Sequence, residues 1–94
     1  MVEQVLALVK ARLGITTAVR DTYLTAICSG VIDELTKEKG IDLDADNAAH
    51  IMFCVDYATW RYQNVSNNES QLSMPRHLQF RLHNLLVHNG GNDE

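Results

Sequence analysis

Proline and glycine are scarce in this chain, at one Pro and five Gly among 94 residues. Beside 46% hydrophobic residues, that scarcity argues against a disordered or low-complexity chain and for one globular domain. A chain this short buries only about two-thirds of its unfolded surface, so its core is thin. Cysteine is limited to Cys28 and Cys54, each in an apolar context and far from the other in sequence. The simplest reading is two buried free thiols in a reducing compartment. A disulfide between them is the other reading. No apolar run approaches the ~20 residues that a bilayer-spanning helix needs, so no membrane partner is expected. The N-terminus carries no positively charged, then apolar, signal segment. The expectation is a soluble protein made in the cytoplasm.

Positive charge is also short. Eight Lys and Arg stand against twelve Asp and Glu, for a formal net charge of −4. That balance disfavours a general nucleic-acid binder, which needs concentrated positive charge against phosphate. It leaves room for a protein that surrounds DNA without gripping it.

Catalytic signatures are missing too. Cys28 and Ser29 fall inside a helical pattern, with no glycine-flanked elbow to expose a nucleophile. Asp33 and Glu34 are adjacent, so on a helix they point apart and do not bracket a substrate. No phosphate-cradling glycine loop is present. His77, His83 and His88 are spaced six and five apart, so they do not stack on one helical face as zinc ligands would. No Cys-x-x-Cys accompanies them. The aspartates 42, 44 and 46 alternate as in a calcium loop. However, Asn47 and Phe53 stand where that loop needs a glycine and a glutamate. Neither enzyme activity, nor a metal, nor a cofactor is expected.

What the chain does have is helical periodicity. Residues 2–13 place Val2, Val5, Leu6, Val9 and Leu13 on one face, with Gly14 at the expected C-cap. Ile15 packs back, and Thr16 or Thr17 is expected to cap the next helix. That helix is expected from about residue 18 to 39, with a stripe of Tyr23, Leu24, Ile27, Cys28, Val31 and Leu35. Gly30 inside it is read as a site of close approach by another helix. Gly40 ends the helix, and residues 41–46 form an acidic turn.

Residues 46–63 are the most hydrophobic helix-length segment, capped by Asp44 or Asp46. Ala48, Ile51, Met52, Val55, Thr59 and Tyr62 share a face, and Phe53, Cys54 and Trp60 widen it. A helix apolar over more than half its circumference needs neighbours on several sides, either other helices or a second subunit. Tyr62 is read as core, and Trp60 as a helix or subunit contact. Residues 64–73 read as a polar surface loop. Ser73 then caps a last helix with Pro75 in its first turn. Leu78, Leu82, Leu85 and Leu86 form its buried face, and Gly90 and Gly91 stop it. Arg76 and Arg81 with the histidines give this helix the most local positive charge. A solvated polar face is the simplest account of it, and an acidic protein surface or DNA are the functional alternatives. The fold class is all-α: one compact four-helix bundle-like domain over residues 1–94.

The order of parts is "VKARLGI", then "VIDELTKEKGI", an acidic turn, "DYATWRYQN", a polar loop, and "MPRHLQFRLHNLL". With the Leu-Gly-Ile…Asp-x-x-Leu opening and the Tyr-x-x-Trp-Arg-Tyr helix end, nearly the whole chain resembles one family. These are the small head-tail connector proteins of long-tailed bacteriophages, also called head-completion or adaptor proteins. Prophage copies are equally compatible. The resemblance implies an all-helical virion protein that forms a homo-oligomeric ring at the portal vertex after DNA packaging. The implied partners are the portal protein, a stopper or tail-completion protein, and sister copies, with DNA passing through the centre without sequence-specific binding. It implies no catalytic residue. By position, the candidate partner and subunit contacts are Trp60, Arg61, Asn67, Asn68, Arg76 and Arg81. A ring subunit in head-to-tail contact exposes two different flanks, which suits the over-wide apolar surface of residues 46–63. The competing reading is a small helix-turn-helix DNA-binding regulator. Against it, no helix gathers Arg, Lys, Asn and Gln on one face.

Overall fold

The computed structural model describes residues 1–64 and the backbone of 74–91, with side chains described up to Val87. Four helices follow in order: α1, Val2–Leu13; α2, Asp21–Asp33, continued by a π-helical turn Glu34–Glu38; α3, Ala48–Asn64; and α4, Arg76–Gly91. No strand occurs among the described residues. All four helices give side chains to one core, with Val5 and Val9, Leu24 and Leu35, Phe53 and Val55, and Leu78 all buried.

α1 ends as its sequence dictates. Gly14 takes the left-handed conformation (φ 75°), and its N–H returns to the carbonyls of Ala11 and Lys10, a C-cap that other residues adopt only with strain. Ile15 donates to Lys10 and is half-buried against the core. Neither Thr16 nor Thr17 caps α2. That helix starts later, at Asp21, with Arg20 in the cap position and no side-chain bond there. The stripe on α2 is narrower than its periodicity promised. Leu24, Cys28, Val31 and Leu35 are buried, but Tyr23 is 45% exposed. Gly30 faces open space, and a Cβ built there meets nothing within 4 Å. The expected close approach of a helix at Gly30 is therefore absent among the described residues.

The π-helical turn closes α2 with Lys39 N–H on the Glu34 carbonyl, and Gly40 (φ 74°) reverses the chain. Ile41 then donates to Leu35 and is itself buried. The acidic turn caps α3 through Asn47, not through Asp44 or Asp46. Asn47 Oδ1 accepts from the N–H groups of Ala49 and His50. Asp44 instead accepts from Asp46 N–H within the turn. Asn47 wins because its side chain stands one residue before the helix, where the free N–H groups are in reach.

α3 is central. It packs against α1, α2 and α4, whereas α4 packs on α3 alone among the helices. α1 runs beside α3 in the same direction: Gln4 reaches the Ala45 carbonyl, and Arg12 reaches Asp56. α2 crosses obliquely, with Tyr23 against Tyr62 and Glu34 against Tyr57. α4 returns antiparallel, with Arg81 on Asp56. Pro75 accepts from Leu78 and Gln79 at the start of α4; Ser73, its expected cap, lies outside the described residues. The helix does not stop before Gly90 but continues through Gly91.

Candidate interaction surface

Three helices cover α3, yet its C-terminal half keeps a polar cluster. Tyr57 is 2% exposed, and its hydroxyl donates to Glu34 at 3.0 Å while accepting from Arg61 at 2.6 Å. Arg61 also bonds Glu34 at 2.8 Å, and its guanidinium lies 4.8 Å from the Tyr57 ring centroid. The i, i+4 spacing of Tyr57 and Arg61 brings them to one face, and the π-helical turn delivers Glu34 to it. Burial pushes the Tyr57 phenol up to about 12; Arg61 opposes the shift and Glu34 adds to it. Trp60 is half-buried and stacks on Tyr57, with centroids 6.3 Å apart and an interplanar angle of 25°.

A second cluster is built on Asp56, the residue before Tyr57 and so about 100° round α3 from it. Asp56 accepts from Arg12 of α1 and from Arg81 of α4. One carboxylate on the middle helix therefore ties both neighbours. Burial tends to raise the Asp56 pKa, but the hydrogen bonds and charges of Arg81 and Arg12 outweigh it and hold it below the ordinary value. Arg81 additionally lies 5.4 Å from the Phe53 ring centroid.

The surface around α4 is open. On one side a cleft of about 510 Å³ runs between the end of α2, α3 and α4, lined by Glu34, Lys39, Tyr57, Arg61, Leu82 and Leu86. On the other side a smaller cleft of about 230 Å³ is lined by Phe53, Arg81 and Leu85. Phe80 and Val87 of α4 are 65% and 53% exposed.

The sequence-predicted contacts therefore separate. Trp60, Arg61 and Arg81 belong to these clusters and are engaged within the chain. Arg76 is exposed. Asn67 and Asn68 lie outside the described residues. Tyr62 is half-buried rather than fully core, and its hydroxyl accepts from Arg20. His77 and His83 are exposed. Sequence reasoning missed His50, which is buried and accepts the Asp44 N–H on Nδ1 at 3.0 Å. Its position opposite an acidic turn, on an otherwise apolar face, was the available signal. Cys28 and Cys54 are buried free thiols. Burial raises them to about 11 and about 12, with the Cys28 charge adding to the shift at Cys54.

No group of three or more His, Cys, Asp or Glu able to hold a metal occurs among the described residues. None of the described helices is long and apolar enough to cross a membrane. Comparison of the chain with protein-family models, curated proteins and solved structures finds no match.

Proposed function

We propose that this protein is a structural subunit of a phage or prophage virion. It forms a ring at the portal vertex that joins head to tail and extends the DNA channel after packaging. The observation that carries this reading is the treatment of α4. Among the described residues that helix packs on no helix but α3, has clefts on both flanks, and leaves Phe80 and Val87 exposed. Among the described residues no further helix covers this surface. Exposed apolar residues flanked by open clefts suit contact with other chains. Helical order, the quoted motifs and the net charge of −4 agree with a conduit that DNA passes without sticking. The partners are the portal protein, a stopper or tail-completion protein, and sister copies. The site of action is the virion neck, after synthesis in the bacterial host cytoplasm.

The experiment is electron microscopy of particles made without this gene product. Packaged heads lacking tails support the reading. Complete, infectious particles overturn it. Tight, salt-sensitive duplex binding by a monomer or dimer would instead favour the helix-turn-helix regulator.

A further inference from the structure

The outer side of α1 carries little charge. Among the described residues α1 packs on α2 and α3 and not on α4. Its exposed residues are Glu3, Gln4, Ala7, Leu8, Ala11 and Arg12. A helix with water on one side ordinarily turns charged and polar residues toward it. Here the exposed residues between Gln4 and Arg12 are two alanines and a leucine. Leu8 is 40% exposed, and Met52 of α3 is 37% exposed. Register sets these two side by side. Leu8 stands one turn before Arg12, Met52 stands one turn before Asp56, and Arg12 is bonded to Asp56.

Gln4, Leu8 and Arg12 recur every four residues and form one row along α1. The two ends of that row differ in charge. At one end the Gln4 amide reaches the Ala45 carbonyl, which places exposed Asp44 and Asp46 beside it. Glu3 and Asp42 are also exposed at this end. The cations near it are the Met1 amine and Lys39, three residues before Asp42, and Lys39 lines the cleft on the α2 and α4 side. Four carboxylates against two cations leave this end negative. At the other end Arg12 and Arg81 share the single carboxylate of Asp56. One positive charge is left over, on guanidinium groups that are 42% and 40% exposed. Lys10 adds nothing, being neutralised by Asp21.

We propose that this row is the contact between two copies of the chain, paired antiparallel about a twofold axis at Leu8. Leu8 is the middle of the row, so the rotation lays it against Leu8 of the second copy. The same rotation carries Arg12 of each copy opposite Gln4 of the other. Arg12 and Gln4 are eight residues apart, about 12 Å along the helix. Arg12 and Arg81 of one copy therefore face Asp44 and Asp46 of the other, twice over. Met52 widens the apolar centre. A parallel pairing would set like charge against like. The two copies use the same surface, the isologous arrangement. Such a pair is closed and adds no third copy, so it is a form of the protein free of the portal and does not rest on the virion reading. Two short helices bury less than a standard interface, so the pair is weak, with a dissociation constant of about 0.1 mM.

The test is sedimentation equilibrium of the whole protein from about 10 μM to about 1 mM at low salt, a range that brackets this affinity. Monomer is expected at the low end and dimer at the high end, with nothing larger. Leu8→Glu sets two carboxylates together at the axis and weakens the dimer about tenfold or more. Leu8 is partly exposed, so the variant keeps the helical circular dichroism of the parent. Asp46→Lys weakens the dimer about fivefold, and salt at about 0.5 M has the same direction of effect. Phe80→Glu, on the outer side of α4, leaves it unchanged. Monomer at every concentration overturns the proposal. So does a dimer that Leu8→Glu leaves intact, or growth beyond a dimer, which would mark a head-to-tail contact instead. Tailed particles made without the protein would sink the connector role while leaving the sedimentation result intact.

Discussion

Arg81 of α4 donates to the carboxylate of Asp56 on α3, the single ion pair joining α4 to the rest among the described residues. Asp56 also holds Arg12 of α1, so losing it removes one tie from each of two helices. The arginines are about 40% exposed, so screening limits each pair to about 1 kcal/mol or less. Arg81→Ala is expected to raise hydrogen exchange in α4 while α1–α3 stay protected, because Leu78 and Leu82 still anchor the helix. The acid limb of stability follows from the lowered pKa of Asp56. Its contribution is present above the ordinary carboxylate value, about pH 4, and is lost as pH falls through the lower folded value. In acid-unfolding curves Asp56→Asn removes that part of the slope.

Gly30 lies in α2 with open space around it. Gly30→Ala is expected to stabilise the protein by about 1 kcal/mol through helix propensity. Thermal melts should rise by about 4–8 °C for a domain of this size. A fall would mean that something packs on that face in solution.

The Thr59 hydroxyl is buried without a hydrogen-bond partner among the described residues. Thr59→Val keeps the shape and removes the unsatisfied group, so a gain of about 1 kcal/mol is expected in urea unfolding, with the m-value unchanged.

Cys28 and Cys54 are inert by burial. With thiols raised to about 11 and about 12, neither should react with a thiol reagent at about pH 8 in the folded state. Both should react in denaturant. Rapid labelling without denaturant would show an opening that the fold does not contain.

Much of the fold was legible because helical period and glycine chemistry are local. Val5, Val9, Leu24, Leu35, Ile51 and Leu78 announced their faces by spacing, and Gly14 and Gly40 marked helix ends. The caps were harder. Asn47 outcompeted two aspartates for reasons of one-residue register, and Arg20 rather than a threonine precedes α2. Gly30 misled because an interior glycine signals close packing only when a neighbour exists, and the neighbour is a tertiary fact. The side-chain clusters on α3 were legible in part. Arg81 was picked out by its charge on the last helix, but its bond to Asp56 spans 25 residues. The Glu34–Tyr57–Arg61 cluster depends on a π-helical turn that no periodicity revealed.

The central claim is that this chain works by assembling between other proteins rather than by chemistry. Its most direct measurement is binding of the purified protein to an isolated portal complex, followed by electron microscopy of the product. The account predicts a ring of this protein seated on the portal. A portal that stays bare at saturating protein concentration would contradict it.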